Sequence, residues 1–563
     1  MKRKTKNIIA IFLLCLSVSS IGGMMYYIYT KNQPKKQGGT PPSIAQKMPS
    51  NNTLQGMEQN GSQSQPKQMK TSQSLAIYYY LAMGMESFVA VGSVFYLIVS
   101  KGSKRKVSEA MKTWQTKAIG ISLLAVVTGG FTFSEAYIAN HYLIQAKSMQ
   151  APGNGSSQNG MPSGQAPSSK SSSTTKASGK TTMTGTKTIT GSQTSSKRDQ
   201  NAILVKKGAT ATIKNATVKK TGASSNTEAS DFSGVNAAIL AQNGSANITN
   251  TTITTSAKGA NAVFATGSKA KIYMSNSTIK TTGSGSSRGL DATYGGTIIG
   301  KNLTISTTGG SCATLATDRG EGTVKVTSSK LTTKGAGSPL IYSTGNISAT
   351  KTTGTAYGAQ IVVVEGKNQA TVNNVTLGAS GKGNRRSIDQ AGVMLYQSMS
   401  GDAKSGVAIF TANNSNLSIL KSSAYYKSAP MFFVTNTEAV INLNNTKLNF
   451  GSGTLLSVKG TSAWGTSGQN GGHVTLNAKK QTLTGHITAD SISTVAIKLT
   501  NSTYKGAIDT KNKAKKVTLT LDKSSKITLT GDTHVTSLKD ADTTYSNINF
   551  NGYKLYVNGK AIN

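Results

Sequence analysis

Acids are scarce in the C-terminal part of this 563-residue chain, so their positions carry information. Residues 201–563 hold 38 Lys plus Arg against 15 Asp plus Glu, a net charge of +23. Between Phe232 and Ile388 only four acids occur: Asp291, Asp318, Glu321 and Glu365. They sit in Arg288-Gly-Leu-Asp291-Ala-Thr-Tyr294, in Ala316-Thr-Asp318-Arg319-Gly-Glu321-Gly322 and in Val364-Glu365-Gly-Lys367. Three chemistries fit these residue types. Asp291, Asp318 and Glu365 together would offer the hard oxygens that Ca²⁺ takes, about six to eight per ion. Carboxylates beside Arg288, Arg319 and Tyr294 would grip sugar hydroxyls and stack a ring. Alternatively the charges satisfy one another, Arg319 with Asp318 and Arg288 with Asp291, and stabilise turns.

The elements that must position these groups are short and repeated. One phrase recurs: an apolar–polar alternation, an Asn, then an apolar residue three places on. It reads Ile213-Lys-Asn215-Ala-Thr-Val218 and Ile248-Thr-Asn250-Thr-Thr-Ile253. It returns at Asn276, Asn302, Asn374, Asn414, Asn445 and Asn501. From Asn250 to Asn276 to Asn302 the step is 26 residues, and another 26 reaches Ser328. A fixed step of this size means stacked equivalent units, and period-2 alternation with β-branched residues means strands. A second apolar word follows in each unit, as in Ala238-Ile-Leu240, Ala262-Val-Phe264, Gly289-Leu-Asp291, Ile361-Val-Val-Val364 and Met431-Phe-Phe433. Such a unit cannot bury its apolar face alone, but stacked on copies of itself it can. Strands joined by turns, with no helical pattern between them, must spiral, each pairing with its counterpart one coil later. The expected fold is therefore mainly β: a right-handed parallel β-helix over 201–563. The Asn column reads as structural, satisfying turn backbone and hydrogen-bonding up the stack. The four acids fall in or just after the second strand of near-successive coils. Stacking would gather them at one corner, with Lys367 nearby and Tyr342, Tyr396 and Gln397 added by the next coils.

The preceding residues read differently. A basic start leads into an apolar segment, and 1–30 is expected to be a transmembrane anchor rather than a cleaved signal peptide. Residues 31–74 form a polar loop. Residues 75–140 contain two apolar spans, with Glu86 and Glu135 their only acids, around the basic stretch Lys101-Gly-Ser-Lys104-Arg105-Lys106. The positive-inside rule places the N-terminus and that stretch in the cytoplasm, giving three transmembrane α-helices and an extracellular C-terminal part. Glu86 and Glu135 read as helix–helix hydrogen-bonding groups, or for Glu135 an interfacial one, rather than a transport path. Residues 141–200, rich in Ser, Gly, Thr and Lys, read as a disordered linker or tether. Insertions interrupt the coils near 222–235, 382–391, 398–406 and 461–472.

The 24–26-residue coils, the Asn column and the Thr- and Gly-rich turns resemble the pectin-lyase-like right-handed β-helix superfamily. Within it they are most similar to adhesin-like and carbohydrate-binding surface proteins of Gram-positive bacteria, through Arg288-Gly-Leu-Asp-Ala-Thr-Tyr-Gly-Gly296 and Ala316-Thr-Asp-Arg-Gly-Glu-Gly322. The resemblance covers 201–563. It implies a non-catalytic adhesin that binds a polysaccharide or another surface. For a Ca²⁺-dependent polysaccharide lyase acting on acidic glycans it implies acidic metal ligands, Asp291, Asp318 and Glu365, and an arginine base, Arg319. No local motif assigns those catalytic roles, and fold alone does not decide activity. Polygalacturonase-like hydrolysis is disfavoured, because none of the four His (141, 473, 486 and 534) lies beside an Asp pair.

Other functions lack their residues. The sequence contains no phosphate-binding Gly-rich motif, no Cys/His metal spacing and no Leu-Pro-x-Thr-Gly. Cys15 and Cys312 provide no disulfide framework. Lys is spread singly through the coils rather than concentrated with aromatics on one element, which argues against nucleic acid. An anionic cell-wall polymer or acidic polysaccharide is the fitting partner for this charge. A passive cell-wall spacer is the remaining alternative. No resident cofactor is expected apart from Ca²⁺ in the metal-binding case.

Overall fold

The computed structural model describes residues 176–384 and 388–563. The three expected transmembrane spans, the expected loop at 31–74 and most of the expected linker lie outside the described residues. Among the described residues no helix is long and apolar enough to cross a membrane.

Two kinds of strand alternate along the chain. Short strands build a 12-stranded sheet, running from Ser178–Met183, Gln200–Val205 and Ile239–Gln242 to Phe432–Thr435, Thr454–Val458 and His486–Ala489. Every pairing within it is parallel, each strand lying beside its counterpart one coil on. Longer strands build the second sheet. Lys271–Thr281 pairs with Thr297–Thr307 from Lys271↔Thr297 to Thr281↔Thr307, the 26-residue step of the sequence. These long parallel sheets, stacked in register, are the arrangement of a parallel β-helix. Smaller parallel sheets continue the stack after residue 480, and the hairpin Leu555–Val557 with Lys560–Ala561 is antiparallel.

The two sheets bury their side chains differently. Strands of the long sheet alternate, as in Lys271–Thr281, so one face packs inward and the other meets solvent. Ile272, Ile298, Val324 and Ile347 follow one another up one inward column. Short strands such as Val263–Thr266, Leu290–Thr293, Val393–Tyr396 and Phe432–Thr435 are buried on both faces. Their inner side joins the main core. Their outer side is covered by insertions, which explains the continuous apolar runs.

The Asn column lies at a corner within the long sheet, between the two halves of each coil's strand. Asn215, Asn250, Asn276, Asn302, Asn374, Asn414, Asn445 and Asn501 all have φ between 46° and 54°. Non-glycine residues rarely occupy this left-handed region, and Asn tolerates it best among them. Side-chain amides also link the column: Asn302 Nδ2 donates to Asn276 Oδ1 at 2.8 Å and Asn445 Nδ2 to Asn414 Oδ1 at 2.9 Å. The next residue adds a second ladder. Ser277, Ser329 and Ser415 each accept, at Oγ, from a backbone N–H of the preceding coil.

Stacked strands occur before 201, inside the segment expected to be linker. Ser178–Met183 pairs with Gln200–Val205, and Thr186–Ser195 with Thr210–Lys220. Only Met183 and Ile189 are apolar anchors there, and both are buried. Their small number makes the segment look compositionally like a tether. The insertion near 222–235 contains a helix, α1, at Thr227–Ser233. Asn226 Oδ1 accepts from Ala229 N, and Gly234 ends the helix at φ 66°.

Asn302→Val is expected to lower stability by about 1–2 kcal/mol, because a β-branched residue is strained at this corner. Asn302→Gly should lose less than half as much, since glycine enters the region freely. Urea midpoints of the two variants check this, and equal losses would show that the corner's φ is not the reason for Asn.

Candidate functional site

The acid corner lies on the outer face of the short-strand sheet. Arg288, on the turn before Leu290–Thr293, is its centre. One guanidinium nitrogen lies 2.6 Å from Asp291 Oδ2, and the other lies 2.9 Å from Asp318 Oδ2 and 3.5 Å from Asp231 Oδ1. The backbone N–H of Arg288 donates to Asn261 Oδ1, which holds the turn to the previous coil. Asp231 comes from α1 and accepts from Ser286 Oγ. The cluster thus fastens an inserted helix to two coils of the sheet.

Arg319 turns away from Asp318, contrary to the pairing expected between those neighbours. Its guanidinium donates twice to Asp402 Oδ1, at 2.6 and 3.0 Å, and lies 3.8 Å from the centre of the Phe232 ring. Asp402 belongs to the 398–406 insertion and Phe232 to α1, so Arg319 clips two insertions together. Arg288 does pair with Asp291, as expected, but takes two further carboxylates as well. Glu321 is half-exposed and lies 3.4 Å from the exposed Lys404. Tyr294 is exposed, with φ 49°, on the turn after its strand.

Glu365 belongs to a separate group. Tyr342 and Tyr396 both donate their hydroxyls to its Oε2, at 2.5 and 2.7 Å. Tyr396 packs edge-on against Trp464, with ring centres 5.2 Å apart, in a small apolar core with Val363, Met394 and Phe433. Glu365 follows Asp318 by two rungs, about 10 Å at the usual strand spacing. Asp291, Asp318 and Glu365 therefore do not converge as Ca²⁺ ligands. Among the described residues no group of three or more His, Cys, Asp or Glu side chains is placed to hold a metal ion.

Burial dominates the electrostatics of the corner. Asp291, Asp318 and Glu365 are each at most 5% exposed. Desolvation pushes the Asp291 carboxyl up to about 6, although Arg288 pulls the other way. Asp318 is also raised, by desolvation and then by the charges of Asp291, Asp231 and Asp402, again against Arg288. Burial would lower the Arg288 guanidinium, but its carboxylates hold it well above its ordinary value. Tyr342 and Tyr396 are raised by burial and by the charge of Glu365. One guanidinium facing three carboxylates leaves excess negative charge, which adds to desolvation in raising Asp291 and Asp318.

Comparison with known proteins found no matching family model, no matching curated protein and no matching solved structure.

Reasoning from the sequence gathered the right coils but missed Asp231 and Asp402, which lie in insertions. Their signal was present: Asn226 and Gly234 bracket a short capped helix that carries Asp231.

Arg288→Met leaves three carboxylates without their cation and is expected to cost about 3–5 kcal/mol in denaturant unfolding. Glu321→Gln, at an exposed position, should leave unfolding unchanged. Equal effects of the two would remove the structural role assigned to Arg288.

Asp291 and Asp318 have raised folded-state pKa values, so the folded chain holds protons that the unfolded chain releases. The contribution of Asp291 to stability is complete below about pH 4 and is lost as pH rises through about 6, and that of Asp318 is lost in the same direction. The melting temperature is expected to fall between pH 5 and 7, and Asp318→Asn should flatten that fall. A fall of the same size in both proteins would mean the charge excess is not held there.

Proposed function

We propose that the protein is a membrane-anchored cell-surface β-helix, right-handed by the usual sense of parallel crossovers, that binds an acidic polysaccharide or anionic wall polymer without catalysis. The observation that carries this reading is the solvent face of the long sheet. From Thr210 to Ser418 the outward positions of its strands include no acid. They present Lys214, Lys219, Lys271, Lys280, Lys301, Lys325 and Lys330, all exposed, among Thr, Ser and Asn. Tyr273 and Ile299, paired in register, are exposed apolar side chains in the middle of this array.

Such a face fits an anionic glycan. Ammonium groups meet its carboxylates or phosphates. Hydroxyls and amides meet its hydroxyls. The Tyr273 ring offers a surface for the C–H face of a sugar. The acid corner supports the non-catalytic reading, because Asp291, Asp318 and Glu365 are buried and the Arg319 guanidinium, the candidate base, is held by Asp402 and the Phe232 ring. A basic start and a basic loop between apolar spans support the membrane anchor and the extracellular placement. The adhesin-like reading rests on the Lys face together with that placement.

Binding of the purified full chain to polygalacturonate is expected to weaken on the order of tenfold between 50 and 300 mM NaCl, since exposed charges are screened over such distances. Lys271→Ser with Lys325→Ser should weaken binding at low salt, while Tyr273→Ser should weaken it at both salt concentrations. Biolayer interferometry on immobilised polymer reads all three. Salt-independent binding, or binding unchanged in the Lys pair variant, would sink this assignment and leave the passive spacer ahead.

A further inference from the structure

Farther along the same sheet the solvent face changes character. The positions Val407, Glu438, His473, Thr494 and Lys516 stand in one register line, each paired with the next coil. A cavity of about 440 Å³ opens over this line and over the line beside it, which includes Val440 and Ala496. Inward-pointing Ala439, Val474 and Val495 form its base, and Val440 and Ala496 give it an apolar floor.

Its charges are separated along its length. Glu438 and Lys516 are both exposed and lie three rungs apart, about 14 Å at the usual strand spacing. Glu438 has no ion-pair partner among the described residues. In a chain of net charge +41 it stands as an exposed carboxylate, whereas Asp231, Asp291, Asp318 and Glu365 nearer the start of the stack are buried against arginine or tyrosine. Between the two charges, His473 Nδ1 and Thr494 Oγ1 are 3.1 Å apart and present a polar rim.

We infer that this groove is a second glycan site, distinct from the lysine face, and that it takes a zwitterionic segment: an amino sugar with a free ammonium on Glu438, followed along the chain by an acidic unit at Lys516. The floor matches the apolar face of a sugar ring. His473 and Thr494 match its hydroxyls. A peptide fits less well, because strand addition needs the free N–H and C=O groups of a sheet edge. This groove lies on a sheet face, where the backbone groups are spent between coils.

The test uses the purified full chain carrying Lys271→Ser and Lys325→Ser, which weakens anion binding on the lysine face and separates the two sites. The probes are a hyaluronan tetrasaccharide and the same tetrasaccharide with its acetyl groups removed, compared by isothermal titration calorimetry. The de-acetylated probe is expected to bind at least tenfold tighter than its parent. Glu438→Gln should abolish that preference, and Lys516→Met should weaken binding of the de-acetylated probe. Equal binding of the two probes, or a preference that survives Glu438→Gln, would overturn the inference. Both side chains are exposed, so loss of folding does not confound the variants, and unchanged melting temperatures verify that. Failure here with intact salt-sensitive binding at the lysine face would leave the proposed function standing.

Discussion

The constraint on which everything else depends is that both halves of each long strand pair with the next coil at once. Lys271↔Thr297 on one side of the Asn corner and Thr281↔Thr307 on the other are fixed in the same register. From Thr210 to Thr503 the corner keeps one length, so neither half slips against its neighbours. Only at the ends of the stack does its length change by one residue, at Ile189/Gly191 and between Leu521 and Lys526. The corner therefore repeats in one conformation, and a residue that tolerates positive φ recurs there. Where Asn is absent the conformation persists: Ser328, Lys351 and Lys480 have φ of 52°, 48° and 49°. Stacking dictates the backbone, and Asn is the side chain that opposes it least.

The same constraint decides where the chain can grow. The insertions at 222–235, 382–391, 398–406 and 461–472 all lie at turns flanking the short strands. Added length there leaves both sheets in register. Having entered at the margins of the short-strand sheet, the insertions fold over its outer face. Phe264 and Leu240 bury against the region of α1, and Phe433 and Met394 against that of Trp464. Polar anchors complete the closure: Arg288 gathers Asp231, Asp291 and Asp318, while Arg319 joins Phe232 to Asp402. The cluster that looked most like a functional site is the fastening of these insertions.

The fold was legible because its signal is periodic. The 26-residue step and the Asn-x-x-apolar phrase identify equivalent positions in successive coils without any knowledge of distance. The corner was legible only in part. Spacing brought Asp291 and Asp318 to adjacent coils, but nothing local showed that Asp231 and Asp402 would arrive from insertions. What would have signalled burial was composition. Ile361-Val-Val-Val364 and Met431-Phe-Phe433 are apolar at consecutive positions, so both faces of those strands must be covered. A solvent-facing binding corner could not coexist with them. The linker boundary failed for the opposite reason: Thr and Gly suit the outward positions of a coil as well as they suit a tether, and Met183 and Ile189 were too few to tip the balance.

Drawing the carboxylates inward has a consequence for the outside. The lysines left on the long sheet are staggered, so no two occupy consecutive rungs of one column: Lys301 is followed by Thr327, and Lys325 by Ser348. With rungs about 4.8 Å apart, stacked ammonium groups would repel strongly, and staggering separates them. Their field still adds up along the stack, because no outward carboxylate cancels it over those coils. Each lysine alone would hold an anion weakly. A long polymer crossing several rungs meets many of them at once, and the first contact raises the effective concentration for the rest. A rigid, periodic, acid-free face thus favours repeating anionic chains over small anions, and this selectivity comes from length rather than from a pocket.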